Sequence, residues 1–334
     1  MKCLFNIFCL SLLLTGLSFN ALTQTATGQL TVNNQKIVKW KMLSGTGGEM
    51  FFAVPENATL HSGGDYYLGN NGLARVDSLK TLIANLNNTI LQVDLYEGQS
   101  LEIQKRLIKT IKANQYQAKT GQNGEVQDAP PSDANSIFEI KEKSVNGFFW
   151  TSMQHKSPEL FSHIQFFRVR TRLYVLKVFT RNQNDPVIRD FFETVKLISK
   201  EQVVSPNLGE KSESPVGAKM ILPAAVKINS EAASETVRTY EDKEIDRKPV
   251  VVFIPVLPTG EIDSRFYKTF NTIKLKVQLL ANGKIGSVET ITKVSRAIEK
   301  EALEIAREIK FLPAEKNGAP VSTYITIEHG ISFR

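Results

Sequence analysis

IKLKVQLLANGKIGSV, residues 273–288, is the stretch from which the fold of the C-terminal part can be read. Ile273, Leu275, Val277 and Leu279 alternate with Lys274, Lys276 and Gln278, the period of two that makes one strand face apolar and the other wet. Asn282-Gly283 follows and is the strongest short hairpin signal, because both central positions of a type I′ turn need positive φ. A two-residue turn there pairs Ala281 with Lys284. It sets Val277 opposite Val288 on the core side and Lys276 opposite Glu289 on the other, so register and polarity agree.

Working downstream, Ser295 is placed to cap a helix whose apolar positions are Ile298, Ala302, Ile305, Ala306 and Ile309, a single stripe backed by Glu and Lys, with Pro313 as its stop. Asn317-Gly318 marks a second turn, and Val321, Thr323, Ile325, Ile327, Ile331 and Phe333 form the core-facing set of a last strand. The expected product is a small α+β domain at 249–334, an antiparallel sheet with one helix across its face.

Working upstream, residues 199–248 are rich in Ser, Glu and Lys and nearly free of aromatics, the composition of a linker. Before them, 28–198 reads as a sheet-and-helix unit, giving α+β as the class of the whole chain. It has strands at 36–43 and 50–54, a helix at 100–113, a polar loop at 121–135, and strands at 137–143, 147–154, 162–170 and 172–180. Asp185-Pro186 starts a short helix through Phe191 and Phe192, and 76–88 fits helix and strand equally. At 334 residues the chain is long enough for two domains that each bury a core.

Residues 1–24 have the layout of a secretory signal peptide: Lys2, an apolar run at 3–14, then small and polar residues with cleavage expected between 21 and 26. The alternative is an uncleaved inner-membrane anchor. No other segment approaches a span, which excludes a polytopic transporter. Cys3 and Cys9 both lie in that leader, so the mature chain has no disulfide, thiolate ligand or cysteine nucleophile. The net charge of +7 is spread along the chain; it favours solubility and weak attraction to anionic envelope polymers, and nucleic acid is not an expected partner of an exported protein.

Chemistry-bearing patterns are scarce. His61, His155, His163 and His329 show no metal-ligand spacing, there is no nucleophile elbow or phosphate loop, and Gly45-Thr-Gly47-Gly48 reads as a turn. Glu139 and Glu142 fall on opposite faces of an expected strand. The expectation is therefore no enzyme, no cofactor and no metal. Arg168, Arg170 and Arg172 alternate with Phe167, Val169 and Thr171, so one strand would present a basic stripe able to hold phosphate or carboxylate groups; the plain alternative is a solvated sheet face.

The C-terminal segment resembles the TonB C-terminal domain family. The resemblance rests on LLANGKIGSV at 279–288, EALEIA at 301–306 and IKFLPAEKNGAPV at 309–321, in that order and ending at Phe333, across about the last quarter of the chain. More loosely, the first domain resembles the PsbP-like folds through FFAVP at 51–55, LYVL at 173–176 and Phe191-Phe192. The TonB resemblance implies binding of outer-membrane proteins by strand addition. The matching edge is the last strand: Val321, Ser322, Thr323, Tyr324, Ile325, Thr326, Ile327 and Glu328. The alternative for that edge is cover by another segment or by a dimer partner. An energy transducer of the family carries a retained membrane helix and a long Pro-rich spacer, whereas this linker has only Pro206, Pro215 and Pro223. The sequence therefore reads as a periplasmic, non-catalytic protein that binds an envelope or outer-membrane protein or peptide, or a second copy of itself, through the C-terminal domain. The alternatives are a membrane-anchored TonB-type transducer, and a small-ligand binder or enzyme seated in the first domain.

Overall fold

A computed structural model of the chain describes residues 35–45, 49–69, 72–116, 139–145, 148–197, 222–229, 238–255 and 272–330. The leader at 1–24, the loop at 121–135, and Ile331 and Phe333 lie outside the described residues.

The alternation at 36–43 is divided into β1 (Gln35–Val38) and β2 (Trp40–Ser44), and β3 (Met50–Pro55) pairs back on β2. β4 (Thr59–Gly69) and β5 (Gly72–Leu86) form a long hairpin, so the ambiguous 76–88 is strand as far as Leu86. Asn87 then turns the chain at φ 58, a left-handed value that Asn tolerates, into β6 (Thr89–Tyr96). The expected helix is α1 (Leu101–Tyr116), which buries Leu107, Ile108 and Ile111. Next come β7 (Glu139–Val145), β8 (Phe148–Lys156), β9 (Phe161–Val169) and β10 (Arg172–Thr180), paired antiparallel in succession. α2 (Pro186–Glu193) starts as its sequence predicts, with the Asp185 side chain accepting from Val187 N at 3.0 Å. β11 (Lys196–Leu197) returns to β3.

Seven of these strands make one sheet in the order β4-β5-β6-β10-β9-β8-β7. All eight residues of β6 are buried because both faces of the sheet are covered. Leu91, Val93 and Leu95 join Tyr174, Leu176 and Val178 against α2 and the three-stranded layer β11-β3-β2. On the other face Tyr96, Ile164, Phe166, Leu173 and Val175 pack with α1.

The stretch at 199–248, read from composition as linker, is in its described parts built into this framework. β12 (Val226–Asn229) pairs with β1, its Val226 and Ile228 packing on the first core, and Trp40 Nε1 donates to Ala224 O at 3.0 Å. β13 (Thr239–Tyr240) joins the C-terminal sheet. These few apolar positions are outnumbered by charged neighbours, which is why average composition hid them.

β14 (Val250–Phe253) opens the last region. β15 (Thr272–Leu279) and β16 (Ile285–Thr290) then pair as expected, Val277 with Val288 and Lys276 with Glu289. The turn itself differs from the type I′ expectation. Gly283 N donates to Leu280 O, Leu280 N donates to Lys284 O, and of Asn282 and Gly283 only the glycine has positive φ, 77. The loop is thus three residues long with a left-handed glycine at its end. It shifts the pairing to Leu279 with Ile285, and an extra residue at 286–287, opposite Gln278, restores the predicted register beyond. α3 (Arg296–Ala306) is capped by Ser295 and buries Ile298, Ala302 and Ala306 against Ile273, Leu275 and Val277. It ends well before Pro313, because β17 (Lys310–Leu312) is taken up in pairing with β14. β18 (Ala314–Lys316) turns at Asn317 and Gly318, both with positive φ, into β19 (Ala319–Gly330), which runs antiparallel to β15.

The β14–β17 ribbon serves two cores. Val251 and Phe311 belong to the C-terminal core, while Val250, Val252, Phe253 and Leu312 pack on Ile83, Ile90, Leu160 and Phe179 of the large sheet. Arg181 fixes the ribbon's ends. Its side chain is 5% exposed; Nη2 donates to Lys248 O at 2.6 Å and Pro313 O at 2.8 Å, Nη1 to Glu159 O at 3.2 Å, and Nε lies 3.4 Å from Glu315 Oε1. Arg181→Met removes a buried charge whose partners then lie unmatched, and should lower the unfolding free energy by about 3 kcal/mol. Urea denaturation of the two full-length chains measures this; a loss below about 0.5 kcal/mol would mean the clamp is not structural.

Candidate functional site

One side of β19 is fully laddered to β15, from Thr272 with Gly330 to Leu279 with Thr323. Its other side is divided. β18 covers Ala319 to Val321 in antiparallel pairing, β13 covers Ser322 and Thr323 in parallel pairing, and 324–330 have no ladder partner on that side among the described residues. The direction of the main-chain groups follows from β15. Lys274 O accepts from Ile291 N, and Lys274 N donates to Thr292 Oγ1, so Lys274 faces β16. Alternation then aims Ile273, Leu275, Val277 and Leu279 at β19, and in β19 aims His329, Ile327, Ile325 and Thr323 back at β15. The N–H and C=O groups of Tyr324, Thr326 and Glu328 therefore point away from β15; the parallel bridge of Tyr240 to Thr323 takes up the Tyr324 N–H, and the Tyr324 C=O and both groups of Thr326 and Glu328 point out of the open edge.

The eight residues expected to form a binding edge separate accordingly. Val321 is paired with Ala314. Ser322, expected on the outward face, is fully buried with Oγ accepting from Ala281 N at 3.0 Å, and Thr323 is buried with Oγ1 donating to Tyr240 O at 2.9 Å. These three are interior to the sheet, which corrects the expectation of one continuous free strand. Tyr324, Thr326 and Glu328 are exposed, while Ile325 and Ile327 pack into the C-terminal core. Lys276 Nζ stands 4.7 Å from the Tyr324 ring centre, and Lys274 pairs with Glu328 at 2.7 Å. The pairing of β18 had a signal in Asn317-Gly318; the parallel partner Thr239–Tyr240 had none, since two residues carry no periodicity.

The basic stripe does not form. A hairpin turn at Arg170, φ 54, separates β9 from β10, so Arg168 lies across from Leu173 while Arg172 lies across from Val169, on the opposite sheet face. Arg168 stacks 3.9 Å from the Phe149 ring centre, Arg170 is exposed in the turn, and Arg172 is paired with Glu49 at 2.9 Å. Alternation was read through a turn that breaks it.

Between the large sheet and α3 lies a cleft of about 590 Å³, lined by His61, Asp94, Lys177, Glu301, Ile305 and Glu308 among others. Its floor is a closed set: Asp94 receives Lys177 at 2.6 Å, Thr81 at 2.7 Å and Gln92 at 2.9 and 3.0 Å. Three neighbouring side chains thus hold the Asp94 carboxylate in place. Among the described residues no group of three His, Cys, Asp or Glu is placed to hold a metal.

Residues 269–333 match the model of the Gram-negative bacterial TonB protein C-terminal family, within the region where the sequence resemblance lay. The match covers the last part of the chain only and says nothing for the PsbP-like reading of the first domain. No curated protein matches the chain. The last part of the chain thus carries a domain similar to the C-terminal domain of Gram-negative bacterial TonB proteins. Among the described residues no helix is long and apolar enough to cross a membrane.

At the cleft rim His61 Nδ1 is 3.3 Å from Glu308 Oε2, and its ring lies 5.0 Å from that of Phe253. Burial pushes its pKa below the ordinary 6.5, Glu308 opposes the shift and Lys310 adds to it. The unfolded chain thus binds this proton at higher pH than the folded one, so the His61 contribution is present above about 6.5 and is lost as pH falls below it. His155 shifts in the same direction. His61→Gln should flatten part, not all, of the acid-side loss when thermal midpoints are compared across pH 7.5 to 5; an unchanged slope would remove His61 from the account.

Proposed function

We propose that this chain is a non-catalytic periplasmic protein whose TonB-type domain binds an envelope or outer-membrane protein by adding an extended segment of it to the open edge of β19. The observation that carries the reading is the outward row formed by the Tyr324 C=O and the main-chain groups of Thr326 and Glu328, beside a neighbouring strand that already occupies the same edge. Thr326 and Glu328 each present one donor and one acceptor and Tyr324 one acceptor, and net hydrogen-bond contributions of about 0.5–1.5 kcal/mol apiece give useful affinity without deep pockets. Side chains of the incoming segment alternate between the Ile325–Ile327 side and the Tyr324–Thr326–Glu328 side, which supports discrimination of partners.

Strand addition is tested with the full chain as bait in an envelope extract, since the C-terminal region shares a core with the large sheet. Thr326→Pro deletes one outward donor and leaves the β15 ladder intact, because Thr326 faces away from β15. Capture should fall at least about tenfold with Thr326→Pro, while Thr326→Ala and Glu328→Ala each change it less than about threefold. A Thr326→Pro chain with an unaltered thermal midpoint and wild-type capture would exclude strand addition at this edge.

A further inference from the structure

We propose that Thr239 and Tyr240 are a self-supplied latch on the partner edge: they occupy its Ser322–Thr323 portion, and an incoming segment longer than the open run must displace them. This rests on the strand-addition reading and concerns the regulation of that same site.

The cover is short and lightly held. β13 meets β19 at two positions, Thr239 beside Ser322 and Tyr240 beside Thr323, whereas β15 meets the other side at eight. Gln278 Nε2 donates to Thr239 Oγ1 and Thr323 Oγ1 to Tyr240 O, both at 2.9 Å. The Tyr240 ring has the Arg238 guanidinium and the Lys316 ammonium each 4.6 Å from its centre. Arg238 in turn pairs with Glu244 at 2.7 Å, and Lys248 with Asp242 at 3.0 Å, ion pairs open to water and weakened by salt.

The downstream end is held differently. Asp246 N and Arg247 N donate to Glu315 O at 2.9 and 3.1 Å, and Glu315 N donates to Arg247 O at 3.0 Å. Glu315 is itself tied to the buried Arg181. Residues 238–245 thus run from a firm anchor to a weakly paired strand. An incoming segment replaces the two-residue ladder, including its bond to the Tyr324 N–H, and gains in addition the Tyr324 C=O and the groups of Thr326 and Glu328, which lie beyond the latch. That surplus sets the direction of exchange. Because the latch is tethered, it competes at high effective concentration and lowers the apparent affinity by the fraction of time it is closed.

The probe is a labelled peptide with the latch's own sequence, residues 236–246 (TVRTYEDKEID), titrated into the full chain. It should bind a chain carrying Arg238→Ala and Tyr240→Ala at least about tenfold more tightly than wild type, because the cis copy no longer competes. The Ser322 amide should exchange faster in that variant and regain protection with peptide. Equal affinity for both chains, or no binding to the variant up to millimolar peptide, overturns the latch. Partner capture separates this from the underlying reading. Capture unchanged by latch weakening but lost with Thr326→Pro overturns the latch alone; capture that survives Thr326→Pro overturns strand addition itself.

Discussion

The arrangement of the C-terminal region depends on one buried cation. Arg181 sits just past the end of β10 and reaches across to carbonyls at Lys248 and Pro313, the residues flanking β14 and β17. A guanidinium out of water must have its donors matched, and here the matching groups are the ends of the one ribbon shared between two cores. The ribbon alternates its allegiance residue by residue, Phe311 inward to α3 and Leu312 outward to the large sheet. A bulge between Val251 and Phe253 lets Phe253 follow Val252 onto the large sheet, where strict alternation would have sent it to the other side. The C-terminal sheet is therefore held in a fixed place on the molecule by a charge and by apolar area together, and the open edge of β19 inherits that fixity.

Much of this was legible in the residues. The hairpin register, the Ser295 cap, the Asp185-Pro186 helix start and the Asn317-Gly318 turn were readable because each is a local rule in which one or two side chains dictate a backbone state. What escaped was set by partners far away in sequence. Nothing in AIEKEALEIAREIKFLP says that the helix stops at Ala306; β14 decides it, by claiming residues 310–312 some sixty positions later in the chain. The described strands within 199–248 escaped the linker reading for a related reason, since Val226, Ile228 and Tyr240 act singly among charged neighbours. Within the candidate edge, Val321 has a neighbour announced by Asn317-Gly318, whereas Ser322 and Thr323 have a parallel one that no alternation pattern could announce.

The half-covered edge also illustrates how a sheet edge is made safe. Long bare edges invite pairing with other chains, and the usual remedies are short strands, proline, lysine or a covering segment. Three of these occur together at the start of β19: Pro320 in the strand, Lys316 in β18, and β13 lying alongside. Among the described residues that protection ends with the Tyr324 N–H, and the strand continues in unbroken register along β15 to Gly330. The contrast within a single strand sets its second half apart as the part left uncovered among the described residues.

The bulge at 286–287 is more than a repair of register. Gln278, opposite it, accepts from Ser287 N at 3.2 Å with its carbonyl oxygen and donates to Thr239 with its amide nitrogen. A single side chain lying across the exposed face thus touches both margins of the small sheet, the bulged one and the latched one. The two margins share a tie-rod. A molecule that straightened β16 by pairing along it would slacken the hold on Thr239, so crowding at one border of this domain is felt as release at the other.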